Sequence, residues 1–287
     1  MIPGSFDYHR PQSVSEAVGM LAEMGEDAII VAGGHSLIPM MKLRMALPEH
    51  LIDIQDIADI KGITVSGRDV TIGAMVTQAE LIASEEIYSV CPILRETALQ
   101  IADPQIRNVG TVGGNVANGD PGNDMPALMQ ALDATFLLAG STGGREVKAR
   151  EFYQSAFFTA REEGEILTAL KFTAPPAGHG HSYMKQKRKI GDYATAAAAV
   201  ILTLNGGAVE TASIALTNVA DTPLYAEQAA AALVGSSLDD ASIKTAINAA
   251  KAITDPALDG RGPKEFRTHI AGIMVERAIR AAAANAA

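Results

Sequence analysis

Apolar positions recur along this chain with a helical period in some stretches and a strand period in others, and the changes of period mark three parts. Val14, Ala17, Val18, Leu21 and Met24 keep helical spacing. Ser13 and Glu16 open that helix at capping-box spacing, and Gly25 closes it. Residues 27–32, around Ala28-Ile29-Ile30-Val31, read as a short buried strand that leads directly into Gly33-Gly34-His35-Ser36. A short helix over 37–45 and a strand over 51–54 complete a β-α-β unit.

Beyond it, Ile63-Thr64-Val65 and Val70-Thr71-Ile72 flank the turn cluster 66–69, which predicts a hairpin. Thr77 and Glu80 again have capping-box spacing, and helices are expected from there and over 92–101. A second hairpin is expected around 140–144, a helix over 151–159 and a strand over 165–172. Residues 175–180 are rich in proline and glycine and read as a linker. After it come three strands, 182–187, 194–204 and 212–218, then helices over 225–234, 238–253 and 264–284.

Residues 107–126 fit neither period. This stretch holds five glycines among asparagines and aspartates, a composition expected to form a loop that wraps a ligand. Gly110, Gly113 and Gly114 are expected to present successive N–H groups, a nest suited to a diphosphate. Asp124 is expected near the start of a helix over 125–134, as an N-cap or as an acceptor for ligand hydroxyls. Neither glycine segment has the dinucleotide fingerprint G-x-G-x-x-G or the phosphate loop G-x-x-x-x-G-K-[ST].

Composition narrows the chemistry. The formal net charge of -10 argues against nucleic acid or anionic membrane as a partner. The single Cys91 excludes an intrachain disulfide and an iron–sulfur cluster held by this chain, and suits a reducing cytoplasm. Cys91 itself reads as a buried apolar residue, and His179 and His181, beside the linker, as solvent-exposed.

Taken together, A-G-G-H-S at 32–36, I-x-D-P-Q-I-R-N-x-G-T-V-G-G-N at 101–115 and D-x-P at 124–126 resemble the FAD-binding subunits of molybdenum hydroxylases, the xanthine oxidase family. G-D-P-G-N-D at 119–124 and K-R-K-I-G-D-Y-A-T-A-A-A-A-V at 187–200 are similar to the medium subunits of aerobic carbon monoxide dehydrogenases. The resemblance covers essentially the whole chain. It implies an α+β fold: a two-lobed flavin-binding domain of the vanillyl-alcohol-oxidase/PCMH type, with lobes 1–55 and 56–177, and a C-terminal domain, 178–287, of three antiparallel strands and helices.

The resemblance also implies roles. Ala32, Gly33, Gly34, His35 and Ser36 would hold the FAD diphosphate from one side, and Thr111, Val112, Gly113, Gly114 and Asn115 from the other. Asp124 would take ribityl or ribose hydroxyls, Leu167 would touch the ring system, Tyr193 would cover one face of it, and Lys185 would place a cation near its pyrimidine end. From the residues alone, Tyr193 also reads as a packing tyrosine, and Lys185 as part of a solvated basic face with Lys187, Arg188 and Lys189. No catalytic residue and no metal ligand is expected. The implied partners are an iron–sulfur small subunit with [2Fe–2S] clusters and a large subunit with the molybdenum cofactor, in a dimer of heterotrimers. A quinone or membrane cytochrome would take the electrons, placing the cytoplasmic complex at the inner face of the membrane. Another molybdenum hydroxylase, acting on an aldehyde, a purine or an N-heterocycle, a non-catalytic scaffold subunit, and a stand-alone flavin oxidase of the related fold are the other readings.

Overall fold

A computed structural model describes residues 2–287. The first part holds β1 (Asp7–His9), α1 (Val14–Met24), β2 (Ala28–Val31), α2 (Leu37–Lys42) and β3 (His50–Asp53), with the strands in the order β1-β3-β2. Both pairings are parallel. The Ser13 hydroxyl accepts from Glu16 N at 3.1 Å, and Gly25, at φ 59°, ends α1. Ala17, Val18 and Leu21 pack on Ile52 and Ile54. β1 has no counterpart in the sequence reading. It is three residues long with two of them exposed, so it shows no buried alternation and is held by its pairing with β3.

The second part is a five-stranded antiparallel sheet with helices. It comprises β4 (Ile63–Ser66), β5 (Asp69–Gly73), α3 (Gln78–Ala83), α4 (Glu85–Val90), α5 (Ile93–Gln100), α6 (Pro104–Arg107), α7 (Val112–Ala117), α8 (Asp124–Ala131), β6 (Thr135–Gly140), β7 (Gly143–Lys148), α9 (Ala149–Phe152), β8 (Tyr153–Ser155), β9 (Phe158–Thr159) and β10 (Ile166–Thr173). The sheet order is β4-β5-β10-β6-β7. Two expectations fail here. The glycine-rich stretch is not a continuous loop, since α7 and the start of α8 lie inside it. The helix expected over 151–159 is a single turn followed by a small hairpin, because Tyr153 and Phe158 favour extended backbone. Its turn places Phe157 at φ 63°.

The third part holds β11 (Gly180–Gln186), β12 (Ala196–Asn205), β13 (Ala208–Thr217), β14 (Leu224–Tyr225), α10 (Glu227–Ala231), α11 (Asp240–Ala252) and α12 (Lys264–Asn285). The sheet runs β11-β12-β13-β14, so a two-residue fourth strand joins the three that the sequence predicts. Both faces of β12 are buried. Ala197, Ala199 and Ile201 face the core shared with the second part, and Ala196, Ala198, Val200 and Leu202 face the helices. Burial on both sides explains an apolar run without alternation. The alanines leave room for helices on each face, and a larger side chain there would overpack the core.

Arg267 on α12 is 1% exposed. Its guanidinium donates to the carbonyls of Thr195 at 3.2 Å, Ala257 at 2.8 Å and Asn218, and pairs with Asp259 at 3.2 Å. It ties the long helix to the start of β12 and the end of β13. Cys91 is fully buried, and burial pushes its thiol up to about 12, which makes it inert.

His179 and His181 are not solvent-exposed as expected. His179 is 8% exposed and its Nδ1 meets the Pro176 carbonyl at 2.8 Å. His179 Nε2 and His181 Nδ1 are buried without partners. Burial holds both imidazoles below the ordinary histidine value, helped at His179 by His181 and Arg68. The unfolded chain therefore takes up these protons first, and stability falls as pH drops below about 6.5. Denaturant midpoints measured across this range should show that acid limb in the wild type and a flatter one in the His179→Gln/His181→Gln double variant.

Candidate functional site

One cavity of about 620 Å³ is walled by the first part, the second part and the loop between β11 and β12. This volume lies in the range of ordinary cofactor sites, about 300–1,000 Å³. Ala32, Gly33, Gly34, His35 and Ser36 line it beyond the C-terminal end of β2. Thr111, Gly113, Gly114 and Asn115 line it from the second part, joined by Asp124, Leu167, Lys185 and Tyr193. Of the residues that the sequence points to, only Val112 stands away from the wall. It is fully buried in the core beneath α7.

The two glycine segments do different work. Among the described residues, the backbone N–H groups of Gly33, Gly34, His35 and Ser36 have no acceptor within the chain. Gly34, at φ 70°, turns the chain here, so the cavity is lined by a run of residues whose N–H groups are free. The second segment does not form the expected nest. Gly110 N donates to Ile106 O at 2.7 Å, Val112 N to Val76 O at 2.8 Å, and Gly113 N to Ala74 O at 2.9 Å. Gly114 N donates to Thr111 Oγ1 at 3.0 Å, making Thr111 the N-cap of α7.

The glycines of this second segment serve close packing. A Cβ on Gly113 would lie 2.5 Å from the Ala74 Cβ, and one on Gly33 would overlap the Val109 carbonyl. The segments therefore touch backbone to backbone, and Gly33 is required by that contact. Asn115 braces the next turn. Its carbonyl accepts from Asn123 Nδ2 at 2.7 Å and its Oδ1 from Met125 N at 3.3 Å.

Asp124 is the first residue of α8, with Asn123 in the N-cap position. Its carboxylate is committed on both sides. Oδ2 meets Lys185 Nζ at 2.7 Å and Oδ1 accepts from the Tyr183 hydroxyl at 2.6 Å. Lys185 Nζ also donates to Gln100 O at 3.2 Å, and the Tyr183 hydroxyl lies 3.1 Å from Thr217 Oγ1. Burial pushes the Asp124 carboxyl upward, against the pull of Lys185 and Tyr183. Burial and the neighbouring carboxylate push the Tyr183 phenol well above its usual value.

Lys185 is thus a buried partner of Asp124, its side chain 1% exposed, and not part of a solvated face. Lys187 is drawn inward too, with Nζ on Gln100 Oε1 at 2.6 Å, while Arg188 and Lys189 are exposed. Tyr183 was missed by sequence reasoning. Its signal is the i, i+2 spacing to Lys185, which puts both on one face of β11.

Tyr193 stands on the rim and does not pack under the alanine-rich strand. Its ring lies against Gly122, where a Cβ would come within 2.6 Å of Cδ1. Its own loop is held by Asp192, which takes Arg188 at 2.8 Å and Arg261 at 3.9 Å. Burial and Asp120 push the Tyr193 phenol up to about 12, so the ring is neutral at working pH. Leu167 lines the cavity beside a break in register between β10 and β6. Among the described residues, no three His, Cys, Asp or Glu side chains are placed to hold a metal ion, and no helix is long and apolar enough to cross a membrane.

A parallel-stranded lobe with a run of free N–H groups, facing a mixed lobe across a cavity of this size, fits a dinucleotide-binding flavoprotein. Residues 4–174 match the family described as FAD binding domain in molybdopterin dehydrogenase, and residues 181–282 match the CO dehydrogenase flavoprotein C-terminal domain. The chain belongs to this family of FAD-binding flavoprotein subunits of molybdopterin dehydrogenases. It is 61% identical to the carbon monoxide dehydrogenase medium chain of Afipia carboxidovorans, over 100% of this chain and 99% of that one. It is 47% identical to the medium chain of the same name from Hydrogenophaga pseudoflava, over the full length of both. A crystal structure of the Cu,Mo-CO dehydrogenase in its cyanide-inactivated form contains a chain that matches with a TM-score of 0.98 at 61% identity, covering 100% of each.

Removing one member of the buried pair leaves the other charge uncompensated. Lys185→Met is expected to lower stability by about 3 kcal/mol. The double variant Lys185→Met/Asp124→Asn is expected to recover most of that loss, as a double-mutant cycle of denaturant midpoints would show.

Proposed function

We propose that this chain is the FAD-carrying electron-transfer subunit of an aerobic carbon monoxide dehydrogenase, in which CO + H2O → CO2 + 2H+ + 2e− runs on a partner subunit. Full-length identity of 61% and 47% to two medium chains of that name supports the substrate. The observation that carries the site is the run of N–H groups at Gly33–Ser36, without acceptors in the chain, at the wall of the cavity. Such a run suits a dianionic diphosphate without help from arginine.

When bound, FAD supplies the exchange between one-electron donors and a two-electron acceptor. The chain's own residues bind and orient it. Gly33, Gly34, His35 and Ser36 hold the diphosphate, while Ala32, Thr111, Gly113, Gly114 and Asn115 shape the wall around it and Val112 anchors that wall from the core. Leu167 and Tyr193 bound the space for the ring system. Lys185 places a cation there whose field Asp124 partly cancels, so Asp124 acts on the ring mainly through Lys185. On this reading the chain divides into two lobes, 1–55 and 56–177, with 178–287 closing over the ring.

With one cysteine, the chain has no ligand set for an iron–sulfur cluster. The reading therefore places [2Fe–2S] clusters in a small partner and the molybdenum cofactor in a large one. The assembly is a dimer of heterotrimers in the cytoplasm, at the inner face of the membrane, where a quinone or cytochrome takes the electrons.

The test is an anaerobic titration of the purified complex with carbon monoxide, following flavin absorbance. Bleaching by carbon monoxide is expected. Bleaching only by an aldehyde or a purine would move the substrate, and a colourless complex would remove the flavin. Gly33→Ala forces a side chain against the Val109 carbonyl and is expected to weaken FAD binding by about tenfold or more. Gly19→Ala, in open space on α1, is the neutral control.

A further inference from the structure

Gln78 opens α3 at the cavity wall. Its backbone N–H donates to Gly110 O at 2.9 Å, and the adjoining Thr77 pairs with Thr111 as an antiparallel bridge. It therefore sits beside the place where the two glycine segments meet. Gln78 is 2% exposed, and neither its Nε2 nor its Oε1 has a hydrogen-bond partner. The neighbouring buried positions along the chain, Val76 and Leu81, are apolar. A methionine of similar volume would pack there without a desolvation penalty, whereas an unpaired buried carboxamide lowers stability. The missing partner must come from outside the chain.

We propose that Gln78 is a cofactor-binding residue whose Nε2 donates to the diphosphate of the bound dinucleotide and whose Oε1 accepts from an adjacent sugar hydroxyl. The inference rests on the flavin reading above. A single ligand satisfies both atoms only if it presents an acceptor and a donor side by side, and a phosphate ester beside a polyol does so. Bare phosphate offers acceptors, and a polyol alone leaves the N–H groups of Gly33–Ser36 without an anion.

The cations of the wall are already engaged, Lys185 with Asp124 and Arg161 with the Glu165 carbonyl. Phosphate binding therefore depends on neutral donors, and one carboxamide carries weight. Both amide atoms are buried in the chain alone, so on this proposal the side chain turns toward the cavity when the ligand binds.

The test uses the assembled complex, stripped of FAD and titrated with FAD by fluorescence quenching, together with the Tm of the FAD-free form. Gln78→Met is expected to raise that Tm and to weaken FAD binding by about tenfold, the crossed pattern of an amide satisfied only by ligand. Gln78→Glu should weaken it further, because a carboxylate repels the diphosphate. Wild-type affinity in Gln78→Met, or a lowered Tm of its FAD-free form, would overturn the proposal. So would wild-type affinity in Gln78→Glu, which would place hydroxyls alone at this position. A wild-type complex that binds no FAD would instead overturn the flavin reading, and this proposal with it.

Discussion

The structure depends on a contact between two backbones. Gly33 lies so close to Val109 and Gly110 that no side chain fits between them. The parallel-stranded lobe and the mixed lobe thereby share one wall. Beside that wall the N–H groups of Gly33–Ser36 stay without acceptors, while Val112 and Gly113 donate to Val76 and Ala74 and hold α7 against the loop after β5, Gly110 donates to Ile106 O and Gly114 to Thr111 Oγ1. A site of this kind separates rigidity from binding. The second segment is bonded within the fold at Gly110, Val112, Gly113 and Gly114 and fixes position; the first is left open for a ligand.

The C-terminal sheet joins this wall through buried charge. Asp124 comes from the flavin-binding part, and Lys185 and Tyr183 come from β11. Burying a carboxylate and an ammonium together stabilises little by itself, but each is costly without the other. The pair therefore fixes how the third part sits on the second, at the wall of the cavity. Lys187 and Gln100 reinforce the same junction at 2.6 Å. At the other end of the loop, Arg267 gathers three carbonyls and so anchors the strand that follows Tyr193.

Local signals carried much of this in the sequence. The N-caps at Ser13 and Thr77, the two hairpins and both glycine segments are visible without coordinates, because each is set by neighbours a few residues away. Long-range partners are not visible in that way. The helix at Val112–Ala117 contradicts the composition of V-G-G-N-V-A, since its stability comes from the Thr111 cap and from Ala74 and Val76 taking its first N–H groups. The same partners decide which glycine segment keeps free donors, so the expected second nest could not be corrected from sequence. β1 and the hairpin after Phe152 are too short for a period to show. Lys185 read equally well as a surface charge until Asp124, 61 positions away in sequence, was placed beside it.

The measurement that tests the account most directly is backbone amide hydrogen exchange on the assembled complex, with and without FAD. Gly33–Ser36 should gain strong protection when FAD binds, while Gly113 and Gly114, already bonded within the fold, should change little. Protection gained at 110–115 with 33–36 unchanged would contradict the division of work between the two glycine segments and the site built on it.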